Sequence, residues 1–140
     1  MISFNANDTV RTENAAGHGL GGSLKAAIGI YNLDTPLVAG QIIPMVAVPS
    51  RARILDMHIA SDVLDSGSGL TLNVGDTEKQ DRFFAASDIG RQGGVKRLDS
   101  KKGIAHRYEN SSTINLAIKT APSSQAAQGA VNLTVFYVID

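Results

Sequence analysis

Asp56 and His58 stand two residues apart in Leu55-Asp56-Met57-His58-Ile59, a run whose apolar residues alternate. On a strand, residues two apart share a face. A carboxylate and an imidazole would then stand side by side, as a base with its orienting partner or as two ligands of a metal. Either chemistry needs a third group, and His18 and His106 are both distant in sequence. The same alternation makes Asp56 and His58 the solvated face of a half-buried strand. Asp62, Asp65, Ser66 and Ser68 gather oxygens in the loose manner of a calcium loop. Their spacing matches no EF-hand, and Asp, Ser and Gly are ordinary turn formers. Gly17-His18-Gly19-Leu20-Gly21-Gly22 fits the pattern G-x-G-x-x-G letter for letter. A dinucleotide site also needs a strand before that pattern and a helix after it. Glu13-Asn14-Ala15-Ala16 is not strand-like, so these glycines read as a flexible stretch. Neither a G-x-S-x-G nucleophile elbow nor a P-loop occurs. The expectation is a protein with no catalytic site, no cofactor and no metal.

Composition narrows the field further. The chain has 140 residues, with 13 Lys and Arg against 13 Asp and Glu. That length suits one domain burying roughly 70% of its unfolded surface. A net charge of zero argues against binding nucleic acid through charge alone. The absence of cysteine removes disulfides, thiolate nucleophiles and cysteine-based metal sites. No apolar run approaches the roughly 18 residues of a spanning helix, and Met1-Ile2-Ser3-Phe4-Asn5 lacks the basic and apolar regions of a signal peptide. The expectation is a soluble product made in the cytoplasm, without membrane contact.

The elements that position these residues read as strands. Leu70, Leu72 and Val74 alternate with Thr71 and Asn73, and Ile114, Leu116 and Ile118 alternate with Asn115 and Lys119. Val131, Leu133, Val135, Tyr137 and Ile139 do the same, while Phe136 and Val138 make the opposite face apolar as well. Leu55, Met57 and Ile59 form one apolar face between Asp56 and His58. Ile42 to Val48 is apolar and β-branched, and its Pro44 demotes it to an edge or a bulge. Weaker strand candidates are Lys25–Leu33, Arg82–Ala85, Val95–Leu98 and Ile104–Tyr108. Ser23 to Ile30 is the best helix candidate, with Ser23 as cap, though Gly29 and the β-branched Ile28 and Ile30 weaken it. Eight or nine short strands between turn signals predict an all-β protein, a β-sandwich of jelly-roll type, over residues 23–140. Residues 1–22 are polar and rich in Gly and Asn, with no apolar period, and are expected to form an extended arm.

Charge is unevenly distributed. Residues 56–81 carry a net −5, and residues 91–107, with Arg91, Lys96, Arg97, Lys101, Lys102 and Arg107 against Asp99, carry +5. Two solvated loops would explain this, as would complementarity to another copy or to a patterned partner. A nucleic-acid patch fits less well, because Tyr108 is the only aromatic beside the basic run and stacking platforms use several.

From Leu37 onward, "LVAGQIIPMVAVPSRARILDMHIASDVLDSGSGLTLNVGDTEKQDRFFAASDI", and at the carboxyl end "AAQGAVNLTVFYVID", the sequence resembles small virion proteins of tailed phages. Within these it is most similar to the capsid cement or decoration proteins of short-tailed phages, such as those that infect Bordetella. The resemblance implies a jelly-roll sandwich, associated as a homodimer, on the outer surface of an icosahedral head. There it would clamp neighbouring major capsid subunits. No active site transfers with it. The residues expected to make contacts are Phe4, Val10 and Leu20 on the arm, and Arg91, Lys96, Arg97, Lys101 and Lys102 facing acidic capsid or protomer surface. The alternatives are a head–tail connector or tail protein, and more distantly a ligand- or metal-binding sandwich.

Overall fold

The computed structural model describes residues 23–101 and 103–140. The expected arm, with Phe4, Val10 and Leu20, and also Lys102, lie outside the described residues. Among the described residues eight strands follow in order: β1 (Lys25–Asn32), β2 (Ile42–Val48), β3 (Ala52–Ser61), β4 (Thr71–Gly75), β5 (Phe84–Ser87), β6 (Gly94–Arg97), β7 (Ser112–Thr120) and β8 (Ala130–Ile139). A single helical turn, α1 (Ile89–Gln92), joins β5 to β6.

The strands form two antiparallel sheets ordered β1-β8-β3-β6 and β2-β7-β4-β5. First pairs with last, second with seventh, third with sixth and fourth with fifth. This is the arrangement of a hairpin rolled up on itself, the eight-stranded jelly roll. Both sheets send their apolar faces into one core. Met57, Ile59, Leu133 and Val135 come from the first sheet, and Leu72, Val74, Ile114, Leu116 and Ile118 from the second, all buried. Phe83, fully buried, fills it from the loop before β5.

Alternation predicted most of this, and two exceptions have physical causes. Alternation puts Leu55 on the core face with Met57 and Ile59, but it is exposed while Ile54 and Ala52 are fully buried. A register shift between Ile54 and Asp56, against Tyr137 and Phe136 of β8, inserts Leu55 as an extra residue. Such a bulge reverses the alternation on one side of it. On β7, Asn115 belongs to the predicted solvent face yet is buried, as is Ala117. β7 lies inside its sheet, and Asn115 is flanked by Pro44 of β2 and Gly75 of β4.

Pro44 meets its expectation twice, since β2 is an edge strand and its register shifts between Pro44 and Val46. Ser23 to Ile30 is not helical; all eight residues of β1 pair with β8. Gly29 has a packing reason to be there, because a side chain at that position would collide with the carbonyl of Met45. Ile104–Tyr108 is not a strand, but it bridges to β3 through Arg107 and Arg53 and exchanges backbone bonds with Ile54. It covers the half of β3 that the short β6 does not reach.

Candidate functional site

The buried carboxylates Asp65 and Asp76 are spent on holding loops. Asp76 follows β4 and is 2% exposed. Its Oδ2 accepts from Tyr108 Oη at 2.6 Å and Arg82 Nε at 2.7 Å, and its Oδ1 accepts from the backbone N–H of Lys79 at 2.9 Å. Burial raises the Asp76 pKa, but the bonds from Arg82, Tyr108 and Lys79 outweigh it and keep the carboxylate below its usual range. Burial, and then the hydrogen bond to the Asp76 carboxylate, push the Tyr108 hydroxyl far up, so it stays protonated and donates. His106 stacks edge-on against Tyr108 with ring centroids 4.6 Å apart. Burial and the Arg82 charge lower its pKa. Its Nδ1 lies 3.4 Å from Arg82 Nη1, where a neutral ring accepts.

A cleft of about 310 Å³ opens beside this cluster, between the turn at Asp76–Glu78 and residues 106–112. The phenol in it faces the acid, and the imidazole faces the phenol and Arg82. Their chemistry is that of a clamp joining the turn after β4 to the segment before β7.

The loose calcium loop is a second clamp. Asp65 is fully buried, and its two oxygens accept five backbone N–H bonds, from Gly67, Gly69, Leu70, Ser123 and Ser124, at 2.8 to 3.2 Å. Donors occupy the positions a cation would need. Asp62 Oδ2 accepts from the N–H of Ala130 at 2.9 Å. Asp56 and His58 do share a face, with His58 Nε2 3.7 Å from Asp56 Oδ2. The carboxylate accepts from the N–H of Met57 at 2.8 Å and from Arg97 Nε at 2.9 Å. Among the described residues no three His, Asp or Glu side chains gather as a metal site.

The acidic and basic segments meet within the chain, which sequence separation hides. β3 and β6 are neighbours, so Asp56 and Arg97 pair, although the Arg97 side chain remains 75% exposed. Lys96 lies 3.9 Å from Asp99. Arg91 donates through Nε to the Leu70 carbonyl and stands 4.0 Å from Asp88. Lys101 is exposed in the turn that follows. Arg107 is held by Asp140 at 2.7 Å and Glu109 at 2.6 Å. The basic residues expected to make contacts are therefore not one free patch: three of them already have an internal partner.

What the surface offers instead is apolar. Ile28 and Ile30 on β1, Val95 on β6, Val38 and Val63 are exposed large aliphatic residues. Ile30, Asn132, Ala60 and Val95 stand in one row across the first sheet, and Ile28, Thr134, His58 and Arg97 in the next.

No protein-family model and no curated protein matches the sequence. Solved structures do. A chain in the capsid of Ralstonia phage GP4 superposes with a TM-score of 0.76 and 25% identity, over 94% of this chain and 92% of that one. The fold is one that phage capsids contain. A chain of the cyanophage Pam1 capsid asymmetric unit gives a TM-score of 0.81 at 24% identity, over the whole length of both chains. A chain of the acid-stable capsid of Helicobacter pylori bacteriophage KHP30 gives 0.59 at 12% identity, over 81% and 87%. The likenesses to the GP4 and Pam1 chains extend over nearly the full length of this chain. No helix among the described residues is long and apolar enough to cross a membrane.

Proposed function

We propose that the chain is a structural virion protein that binds the outside of an icosahedral phage head and cements neighbouring major capsid subunits. The observation that carries this reading is the near full-length likeness to the chain in the Ralstonia phage GP4 capsid. The likeness to capsid structures favours the head over the tail as its place. The site supports a structural role, since the buried acids hold loops and several large aliphatic side chains lie exposed on the surface. A cement protein needs a rigid scaffold and contact surface rather than a pocket. Copies repeated around a shell accumulate modest contacts through multivalency. In this reading residues 1–22 reach along a capsid subunit or a second protomer, the exposed basic residues meet acidic capsid surface, and the protein self-associates as a dimer. No catalytic step is assigned.

The test is binding to purified heads that lack the protein. Lys101→Glu with Lys102→Glu is expected to weaken binding roughly tenfold at low salt. The difference should shrink as salt rises, because exposed charges are screened over about 8 Å at physiological ionic strength. Thermal stability should not change. Tight binding by the double variant removes the basic turn from the interface, and no binding by the unaltered protein overturns the proposal.

A further inference from the structure

Among the described residues the two sheets have four edge strands, and three of them are blunted against further pairing. β2 carries Pro44 and a register shift. β5 has only four residues, with a shift in its pairing to β4 and a left-handed Ala86 at φ 49°. β6 also has four residues and begins at Gly94, itself at φ 98°. Short, bulged or proline-bearing edges are the usual protection against adding another strand. β1 has none of these. It is eight residues long, pairs with β8 in unbroken register from Lys25 to Asn32, and contains no proline. Among the described residues, no strand lies on its other side. Its outward face also carries Ile28 and Ile30, 66% and 61% exposed. A long edge in unbroken register that exposes apolar residues is a template for strand addition.

We infer that β1 pairs antiparallel with β1 of a second copy, joining two β1-β8-β3-β6 sheets into one continuous eight-stranded sheet. This deepens the self-association in the proposed function and rests on it. The argument for a second copy is the self-complementarity of the strand. Opposed residues in an antiparallel pair share a face. A two-fold axis at Gly29 sets Ile28 against Ile30 of the partner, and Ile30 against Ile28, so four isoleucines meet at the centre. A two-fold interface requires this reciprocity. The same register sets Lys25, the only charged residue of β1, opposite Leu33 of the partner, so no like charges are opposed. Gly29 on the axis faces inward against Met45, where it does not obstruct the pairing.

Sedimentation of the full chain at micromolar concentration tests this. The unaltered protein should be a dimer. Ile28→Lys with Ile30→Lys sets like charges opposite one another twice and should give a monomer with an unchanged far-UV spectrum. Ile28→Lys with Ile30→Glu sets opposite charges in both pairs and should restore the dimer, which no register pairing Ile28 with itself would do. Val95→Lys, on the β6 edge, should leave the dimer intact. A monomeric unaltered protein, a dimer surviving the double lysine change, or a dimer lost on Val95→Lys would overturn the inference. So would a protein that dimerises only after residues 1–22 are removed, since those residues would then occupy the edge. Head binding read in parallel separates the two claims. A monomer that still decorates heads refutes the edge pairing alone, whereas a β1-paired dimer that ignores heads refutes the cement role alone.

Discussion

Asp76→Ala is expected to destabilise the protein by about 3–5 kcal/mol, the usual cost of removing one partner from a buried ion pair. The change strips four donors at once: the Arg82 guanidinium, the Tyr108 hydroxyl, and the N–H groups of Glu78 and Lys79. Arg82 cannot escape into water easily, since its side chain is only 13% exposed, and it cannot lose its proton. A total stability of about 5–15 kcal/mol leaves little after such a loss. Tyr108→Phe removes one donor and leaves the ion pair whole, so its cost should be lower, about 1–3 kcal/mol. Chemical denaturation of both variants measures the difference. Equal costs would show that the phenol, and not the arginine, holds the turn.

The second large effect belongs to Asp65. Asp65→Asn replaces an oxygen that accepts with an amide nitrogen that donates, facing N–H groups that already converge on it. Tm should fall by on the order of 10 °C. The pH dependence follows from the same geometry. Burial raises the Asp65 pKa, but the N–H bonds from Leu70, Gly67, Ser124 and Ser123 prevail and hold it well below the ordinary carboxylate value. A depressed folded pKa contributes stability that is complete above the unfolded value of about 3.9 and is lost as pH falls towards the folded one. Stability should therefore decline below about pH 4. The decline should be shallower in Asp65→Asn, with Asp76 and Asp140, also depressed, supplying the remainder. An acid limb of unchanged slope in the variant would mean that Asp65 does not carry the linkage.

The alternation of Leu72, Ile114, Leu116, Ile118 and Leu133 made the core legible, because a strand with one buried face must repeat every second residue. Pro44 was legible for the same local reason. The bulge at Leu55 was not, since the extra residue is defined by its partners Tyr137 and Phe136, more than 80 positions on. The clamps were half visible. Asp65-Ser66-Gly67-Ser68-Gly69 announces a turn closed by its own aspartate. The bonds from Ser123 and Ser124, which turn that aspartate into a cross-link, come from a loop 58 and 59 residues away. Asp76 closes its local turn on Lys79, but Tyr108 reaches it from 32 residues on. The pairing of Asp56 with Arg97 needed the strand order to be known, and strand order is set by the whole chain. That no described strand lies beside the outer edge of β1 is likewise a property of topology: it stands out only once the other three edges are seen to be blunted.

Cryo-electron microscopy of the intact virion, with the protein's copy number measured against the major capsid protein, tests the central claim most directly. The account predicts jelly-roll density on the outside of the head, bridging adjacent capsid subunits, in numbers proportional to the shell lattice. Density confined to a single ring at the head–tail junction or along the tail, with a correspondingly low copy number, would contradict it.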